Sequence, residues 1–250
     1  MKGVLQLPDA ASGLQMMSSE REELTGKSPK DTGGTVPEAD PWEAAYLRFE
    51  THEQEIQKFI KRLRKLGAGE CRRDSEIVEL FCGRGNGLHA LERLGFTQLE
   101  GVDLSPRLLA RYRGKAKCYE ADCRQLPFAN ESKDILIVQG GLHHLLNLPQ
   151  DLERTLVEMH RVVRKDGRLM IVEPWSTPFL TVAHLVSENH VARRLSNKLD
   201  ALAVMTHYER RTYEQWLSQP RVISRLVHSH FASLMESFAW GKWNFLGKPV

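Results

Sequence analysis

The sequence predicts an α/β fold: a mostly parallel β-sheet with helices on both faces and an antiparallel hairpin strand at its C-terminal end. Three observations carry that expectation. Short apolar runs at 77–81, 99–104, 134–138 and 169–172 alternate with stretches of helical spacing, as in strands buried on both faces. The first run meets alternating glycines at Gly83, Gly85 and Gly87 and then becomes helical, which brings backbone close to a ligand and offers it the unpaired N–H groups of a helix N-terminus. Acidic residues, Asp103 and Asp122, close the next two strand candidates. They fall where open parallel sheets take their ligands, outside the carboxyl ends of the strands.

Taken in order, residues 1–38 are rich in Ser, Gly, Pro, Glu and Lys and read as a flexible tail; residues 39–250 are expected to form the domain. A helical cap is expected over about 40–70, where Trp42, Ala45, Tyr46, Phe49, Ile56, Phe59, Ile60, Leu63 and Leu66 recur at helical spacing. The polar face of its second half carries Lys58, Lys61, Arg62, Arg64 and Lys65, and reads as a solvated face before it reads as a site for an anionic partner. Glu79 is the polar exception in the first strand. Pro106 opens a helix after the second strand, and the run 116–122 is a weaker third strand. The fourth, 134–138, leads into Gln139-Gly140-Gly141. A helix over 152–163 is expected to stop at Asp166-Gly167, before a fifth strand at 169–172 and Glu173-Pro174. Residues 176–211 break the rhythm at the ligand end of the sheet, where a lid would lie. Helical spacing resumes at Tyr213, Trp216 and Leu217, and 231–240 with 243–246 would pair as a closing hairpin through Gly241-Lys242.

Composition limits the function. A formal charge of +3, from 35 basic and 32 acidic residues, is too balanced to argue for nucleic acid or an acidic membrane surface. The four cysteines form no Cys-x-x-Cys pair and have no matched histidine pair, so no metal site is expected and free thiols in a reducing compartment are. No eighteen apolar residues run together and no apolar stretch follows Lys2, so the expectation is a cytoplasmic protein without a membrane span. The oligomeric state is not legible.

Two cofactors compete for the glycine loop. Gly85-x-Gly87-x-x-Ala90 with Asp103 beyond it fits the dinucleotide fingerprint of an NAD(P)-dependent oxidoreductase, but that reading leaves Glu79 and Asp122 without a role. Glu79 with the three glycines, then Gly101-Val102-Asp103-Leu104-Ser105, Ala121 to Phe128, Leu142-His143-His144-Leu145 and His160 to Arg168 form a second pattern. It resembles the class I S-adenosylmethionine-dependent methyltransferases, and within them the small-molecule, methyltransferase type 11-like kind. The resemblance implies a Rossmann-like, seven-stranded sheet and S-adenosyl-L-methionine as cofactor. It implies that Gly83, Gly85 and Gly87 pass against the methionine end and sugar, that Glu79 steadies the loop or reaches the amino group, and that Asp103, followed by Leu104, accepts the ribose hydroxyls. Asp122 would take the adenine amino group with the Cys123 backbone N–H beside it, and the backbone at Gln139 and Gly140 would hold the methionine part. The sequence departs from the family where Phe81 replaces a common glycine, Arg84 a small residue, and Asp166 a frequent proline.

The sulfonium methyl is already activated, so positioning the nucleophile is the main task and a base is optional. His143, His144 and Glu173 are the candidate catalytic groups, against a packing role for the same residues; His184 and His190 stand behind them in the lid. The fourth strand is followed by neither the Asn/Asp-Pro-Pro-Tyr/Phe of related base and glutamine amino methylating enzymes nor a Pro-Cys nucleophile. A small or amphipathic organic acceptor is therefore expected, offering an oxygen, nitrogen or carbon nucleophile. An RNA methyltransferase recruited through the basic helix is the alternative.

Overall fold

The computed structural model describes residues 41–250, so the tail expected over 1–38 lies outside the described residues. The cap is two helices, α1 (Pro41–Phe49) and α2 (His52–Lys65). Thr51 starts α2 with a capping box: its hydroxyl accepts from Gln54 N and the Gln54 side chain accepts from Thr51 N, satisfying two N–H groups that a helix start leaves open.

Seven strands form one sheet: β1 (Glu76–Leu80), β2 (Gln98–Asp103), β3 (Lys117–Glu120), β4 (Lys133–Gln139), β5 (Val163–Pro174), β6 (Phe231–Ala239) and β7 (Lys242–Pro249), in the order β3-β2-β1-β4-β5-β7-β6. The first five are parallel, and β7 runs antiparallel to both β5 and β6. This is the predicted sheet. The strand order reverses beside β1, whose last residue, Leu80, lies between Val102 of β2 and Val138 of β4. The glycine loop therefore leaves β1 at the switch point, where the crossovers diverge and open a crevice.

Consecutive strand residues enter opposite cores, as the pleat demands. Val78, Leu136 and Ile171 pack with Leu152, Leu156 and Met159 of α5 (Gln150–Val162) and with Trp216. Ile77, Ile135 and Met170 pack with Ile56, Phe59, Ile60 and Leu63 of α2 and Leu91 of α3 (Asn86–Arg93). A four-residue α4 (Pro106–Leu109) follows β2.

Two expectations are corrected. Helix α5 does not run on to Asp166-Gly167; β5 begins at Val163 and takes both residues into an irregular stretch where its register with β4 shifts between Lys133 and Ile135. Gly167 is needed there for close approach, since a Cβ would lie 2.8 Å from the Asp134 carbonyl oxygen. The hairpin turns on Trp240-Gly241, both at positive φ (52° and 72°), while Lys242 already pairs with Ala239; two such residues match the twist of the strands they join. After β5, where a lid is expected over 176–211, come α6 (Pro178–Glu188), α7 (His190–Leu195), α8 (Asn197–Ser218) and α9 (Pro220–His230). Trp216 on α8 is fully buried and its indole N–H donates to the Pro174 carbonyl at 2.8 Å. Helix α1 packs along α8, with Arg48 paired to Asp200 at 3.1 Å.

Candidate functional site

The loop after β1 turns on three positive φ angles, Phe81 (58°), Gly83 (52°) and Gly85 (83°). Glycine takes such angles without strain and phenylalanine does not, which is the physical reason for glycine at position 81 in the resembling proteins. Phe81 packs closely against the backbone after β4: a Cβ on Gly141 would come within 2.3 Å of its ring. Asp103 braces the loop from β2. One carboxylate oxygen accepts from Gly83 N and the other from Ser105 N, both at 2.8 Å; further lone pairs remain for the ribose hydroxyls. Leu104 beside it is 62% exposed, an apolar face at the strand end.

Glu79 is buried beneath the first turn of α3, so close that a Cβ on Gly87 would fall 1.7 Å from its Oε1. Burial pushes its carboxyl up to about 8. Gln139 Nε2 donates to Oε1 at 3.3 Å. Three buried oxygens around this loop, Glu79 Oε2, Asn86 Oδ1 and Gln139 Oε1, have no donor in the protein. Buried acceptors are normally paired, and an ammonium brings three N–H donors. The α-ammonium at the methionine end of S-adenosylmethionine fits that set; a dinucleotide pyrophosphate would bring negative charge to an acceptor-lined wall.

Arg84 does not reach over this site. Its guanidinium lies 3.5 Å from Glu55 Oε2 and 4.9 Å from the centre of the Tyr46 ring, tying the loop to the cap, while Asn86 Nδ2 also donates to Glu55. Asp122 is engaged by Arg124 through its backbone N–H at 2.8 Å and its guanidinium at 2.6 Å, and that partner holds its carboxyl below the usual range. Cys123 points its thiol into the core, 3.5 Å from Thr155 Oγ1, so contact with a ligand falls to its backbone. The four cysteines are free thiols. The basic face of α2 is partly neutralised, with Lys58 paired to Glu50, and a groove of about 490 Å³ along it is lined by Glu50 and Glu53 as well as Lys58, Lys61 and Arg62.

The second half of the site lies at the ends of β4 and β5. Glu173 is completely buried. Its Oε1 accepts from Gly141 N at 2.7 Å and Leu142 N at 2.8 Å, and its Oε2 meets His143 Nδ1 at 2.8 Å. Burial favours the neutral carboxyl, but His143 and the two N–H groups outweigh it and hold Glu173 below its ordinary value; His143 in turn is raised against its own burial by Glu173 and Glu209. His144 is exposed, its ring 4.0 Å from that of His143. Across from them on α8 stands Glu209, its Oε2 3.8 Å from His143 Nε2. Tyr213 packs edge-on to His143 with ring centres 5.8 Å apart, and its hydroxyl lies 3.4 Å from His184 Nε2. His190 has no described side chain. Sequence reasoning missed Glu209: in Glu209-Arg210-Arg211 it reads as one more solvated charge. Asn86 was legible inside Gly85-Asn86-Gly87 but was not singled out.

Residues 78–171 match the methyltransferase domain family. The chain is 25% identical over 161 residues to a demethylmenaquinone methyltransferase of Chlorobaculum parvum, covering 62% of this chain and 64% of that protein. It is 31% identical over 91 residues to a ubiquinone/menaquinone biosynthesis C-methyltransferase of Citrifermentans bemidjiense, covering 33% and 37%. The chain thus spans under two thirds of the length of these curated relatives. Its fold superposes on the PH0226 protein of Pyrococcus horikoshii with a TM-score of 0.61 and 16% identity, covering 85% of this chain and all of that one. A putative S-adenosylmethionine-dependent methyltransferase of Methanococcus maripaludis gives a TM-score of 0.54 and 10% identity, covering 87% and 98%. Among the described residues no helix is long and apolar enough to cross a membrane.

Proposed function

We propose, from the premise that this chain carries a class I S-adenosylmethionine-dependent methyltransferase domain, that it methylates a small or amphipathic organic acceptor bearing an ionisable hydroxyl, of the quinol class. That premise sets the nicotinamide alternative aside. The observation that carries the acceptor side is the cluster that His143 and His144, in the turn after β4, form with Glu209 on α8. The names of the relatives, demethylmenaquinone and ubiquinone/menaquinone methyltransferases, support a cyclic acceptor whose oxygen or neighbouring ring carbon is the nucleophile.

Bound at the glycine loop, S-adenosylmethionine would supply a methyl group already activated on a sulfonium. The residues then have distinct tasks. Asp103 holds the ribose, Asp122 and the Cys123 N–H the adenine edge, and Glu79, Asn86 and Gln139 the ammonium, with Gly83, Gly85 and Gly87 giving backbone access. Gln139 links the two halves, its side chain among the cofactor acceptors and its backbone at the end of β4. Glu173 fixes His143, and the cluster activates the acceptor hydroxyl. Helices α6 to α8 cover the acceptor and exclude water, so that most of the rate comes from holding the nucleophile in line with the methyl.

The test is direct. The purified chain, given radiolabelled S-adenosylmethionine and a reduced, short-chain naphthoquinol lacking one ring methyl, should transfer label to the quinol. Asp103→Ala should weaken cofactor binding by about 2–4 kcal/mol, taking roughly 1–3 kcal/mol for each hydrogen bond to a charged group. Cofactor binding with label appearing in RNA or protein instead of the quinol would overturn the acceptor class. Tight NAD(P)H binding with no response to S-adenosylmethionine would overturn the whole reading.

A further inference from the structure

We infer that the turn after β4 and the lid helix α8 together form a divalent metal site, with His143, His144 and Glu209 as its protein ligands and zinc as the fitting ion. The inference draws on the proposed methyl transfer only for what the ion does, not for whether it binds.

Three features of the geometry carry it. One donor atom from each of the three side chains lies within 4.8 Å of the other two. Zinc bonds to nitrogen and oxygen of about 2.0–2.2 Å put tetrahedral ligands about 3.4 Å apart, so the group closes on an ion with a shift of about one ångström, within the freedom of a glutamate side chain. His143 Nε2 and Glu209 Oε2 stand 3.8 Å apart, near the separation of two ligands on one ion. Finally, the His143 imidazole is engaged on its other side. His143 Nδ1 meets Glu173 at 2.8 Å, and Glu173 is itself fixed by two backbone N–H groups. Metal-binding histidines are oriented in this way, by a carboxylate or a backbone carbonyl on the second nitrogen, which fixes the tautomer and aims the free nitrogen.

The donor set also says what kind of site it is. Two histidines and one glutamate satisfy three positions and leave the fourth to water or substrate, the arrangement of a catalytic rather than a structural zinc. The site sits at the strand ends where the acceptor is proposed to lie. An acceptor hydroxyl bound at the open position gives up its proton to water at lower pH than the free acceptor does, leaving an oxyanion to attack the methyl or to push charge onto its ring. The cysteine pattern of the sequence gave no hint of this because the donors come from one short turn and from a helix far along the chain.

The test uses the tag-free full chain, stripped with chelator and titrated with zinc chloride by calorimetry and with cobalt(II) by visible absorption. One ion per chain is expected, with a cobalt spectrum of low coordination number. Glu209→Gln and His144→Ala should each weaken binding at least tenfold, while His228→Ala, a surface histidine near Glu236, should leave it unchanged. Circular dichroism and S-adenosylmethionine titration of each variant establish that it remains folded. Absence of stoichiometric binding in the parent chain, or equal binding by parent, Glu209→Gln and His144→Ala, overturns the site. Loss of the metal result with intact S-adenosylmethionine binding removes this inference alone; metal binding without S-adenosylmethionine binding removes the methyltransferase reading and leaves the site standing.

Discussion

Glu79 is an acid in the first strand of the sheet, covered by the start of a helix and short of one donor. Its carboxyl titrates at about 8 in the folded, ligand-free chain against 4.5 ordinarily, so between those values the folded state holds a proton that the unfolded chain has lost. Stability must then fall as pH rises through that window. Urea unfolding at pH 5.5, 6.5 and 7.5 should show a slope from this group of up to about 1.4 kcal/mol per pH unit, and Glu79→Gln should remove it; an unchanged slope would show that the acid is not buried as described. Cofactor affinity should move the other way, tightening up to about pH 8 as the carboxylate forms to meet the ammonium. Phe81 and Gly141 invite a second test. Gly141→Ala drives a methyl into the Phe81 ring and should cost about 1–3 kcal/mol, whereas in a Phe81→Gly background, where ring and strained φ are both gone, the same change should cost little. A full cost in both backgrounds would mean that Gly141 is constrained by something other than the ring.

At the level of helices and strands, legibility in the sequence followed burial. β1, β2, β4 and the second half of β5 were legible because a strand covered on both faces is a nearly unbroken apolar run. β3 at the sheet edge was weaker, since its residues are only partly buried or exposed. The first half of β5 was missed: Asp166-Gly167 looks like a helix stop, and only the close approach to the Asp134 carbonyl shows that the glycine belongs to a bulged strand. The partners of Glu209 and Arg84 were not legible for a related reason. A charge in a polar stretch takes its meaning from what the fold puts opposite it, here His143 in one case and Glu55 with Tyr46 in the other. The burial of α8 against the sheet can also be tested at one residue. Trp216→Phe removes the indole N–H from the Pro174 carbonyl and leaves that oxygen buried and unpaired, which should cost about 1–3 kcal/mol without changing cofactor affinity; weakened cofactor binding would mean that the lid also shapes the glycine loop.

For the described domain, the order of strands explains why two sets of polar groups meet at one edge. The reversal of strand order beside β1 opens the crevice that the glycine loop, Asp103 and Asp122 border, and the ends of β4 and β5 bring His143 and Glu173 alongside it. The placement of the glycine loop, Asp103 and Asp122 at strand ends was therefore legible from spacing along consecutive strands, while the approach of Glu209 to His143 required α8 to fold back toward the turn after β4.

The seam under that lid has a further use. Of the five tryptophans in the chain, Trp216 on α8 faces Trp175 and Trp243 at the sheet, with ring centres 6.4 Å apart for Trp216 and Trp175 and 4.8 Å for Trp175 and Trp243. All three are buried. The molecule thus carries its own optical gauge of lid docking: lifting α8 would admit water to the trio and shift its emission to the red, so a stopped-flow fluorescence trace can time the opening without an attached dye.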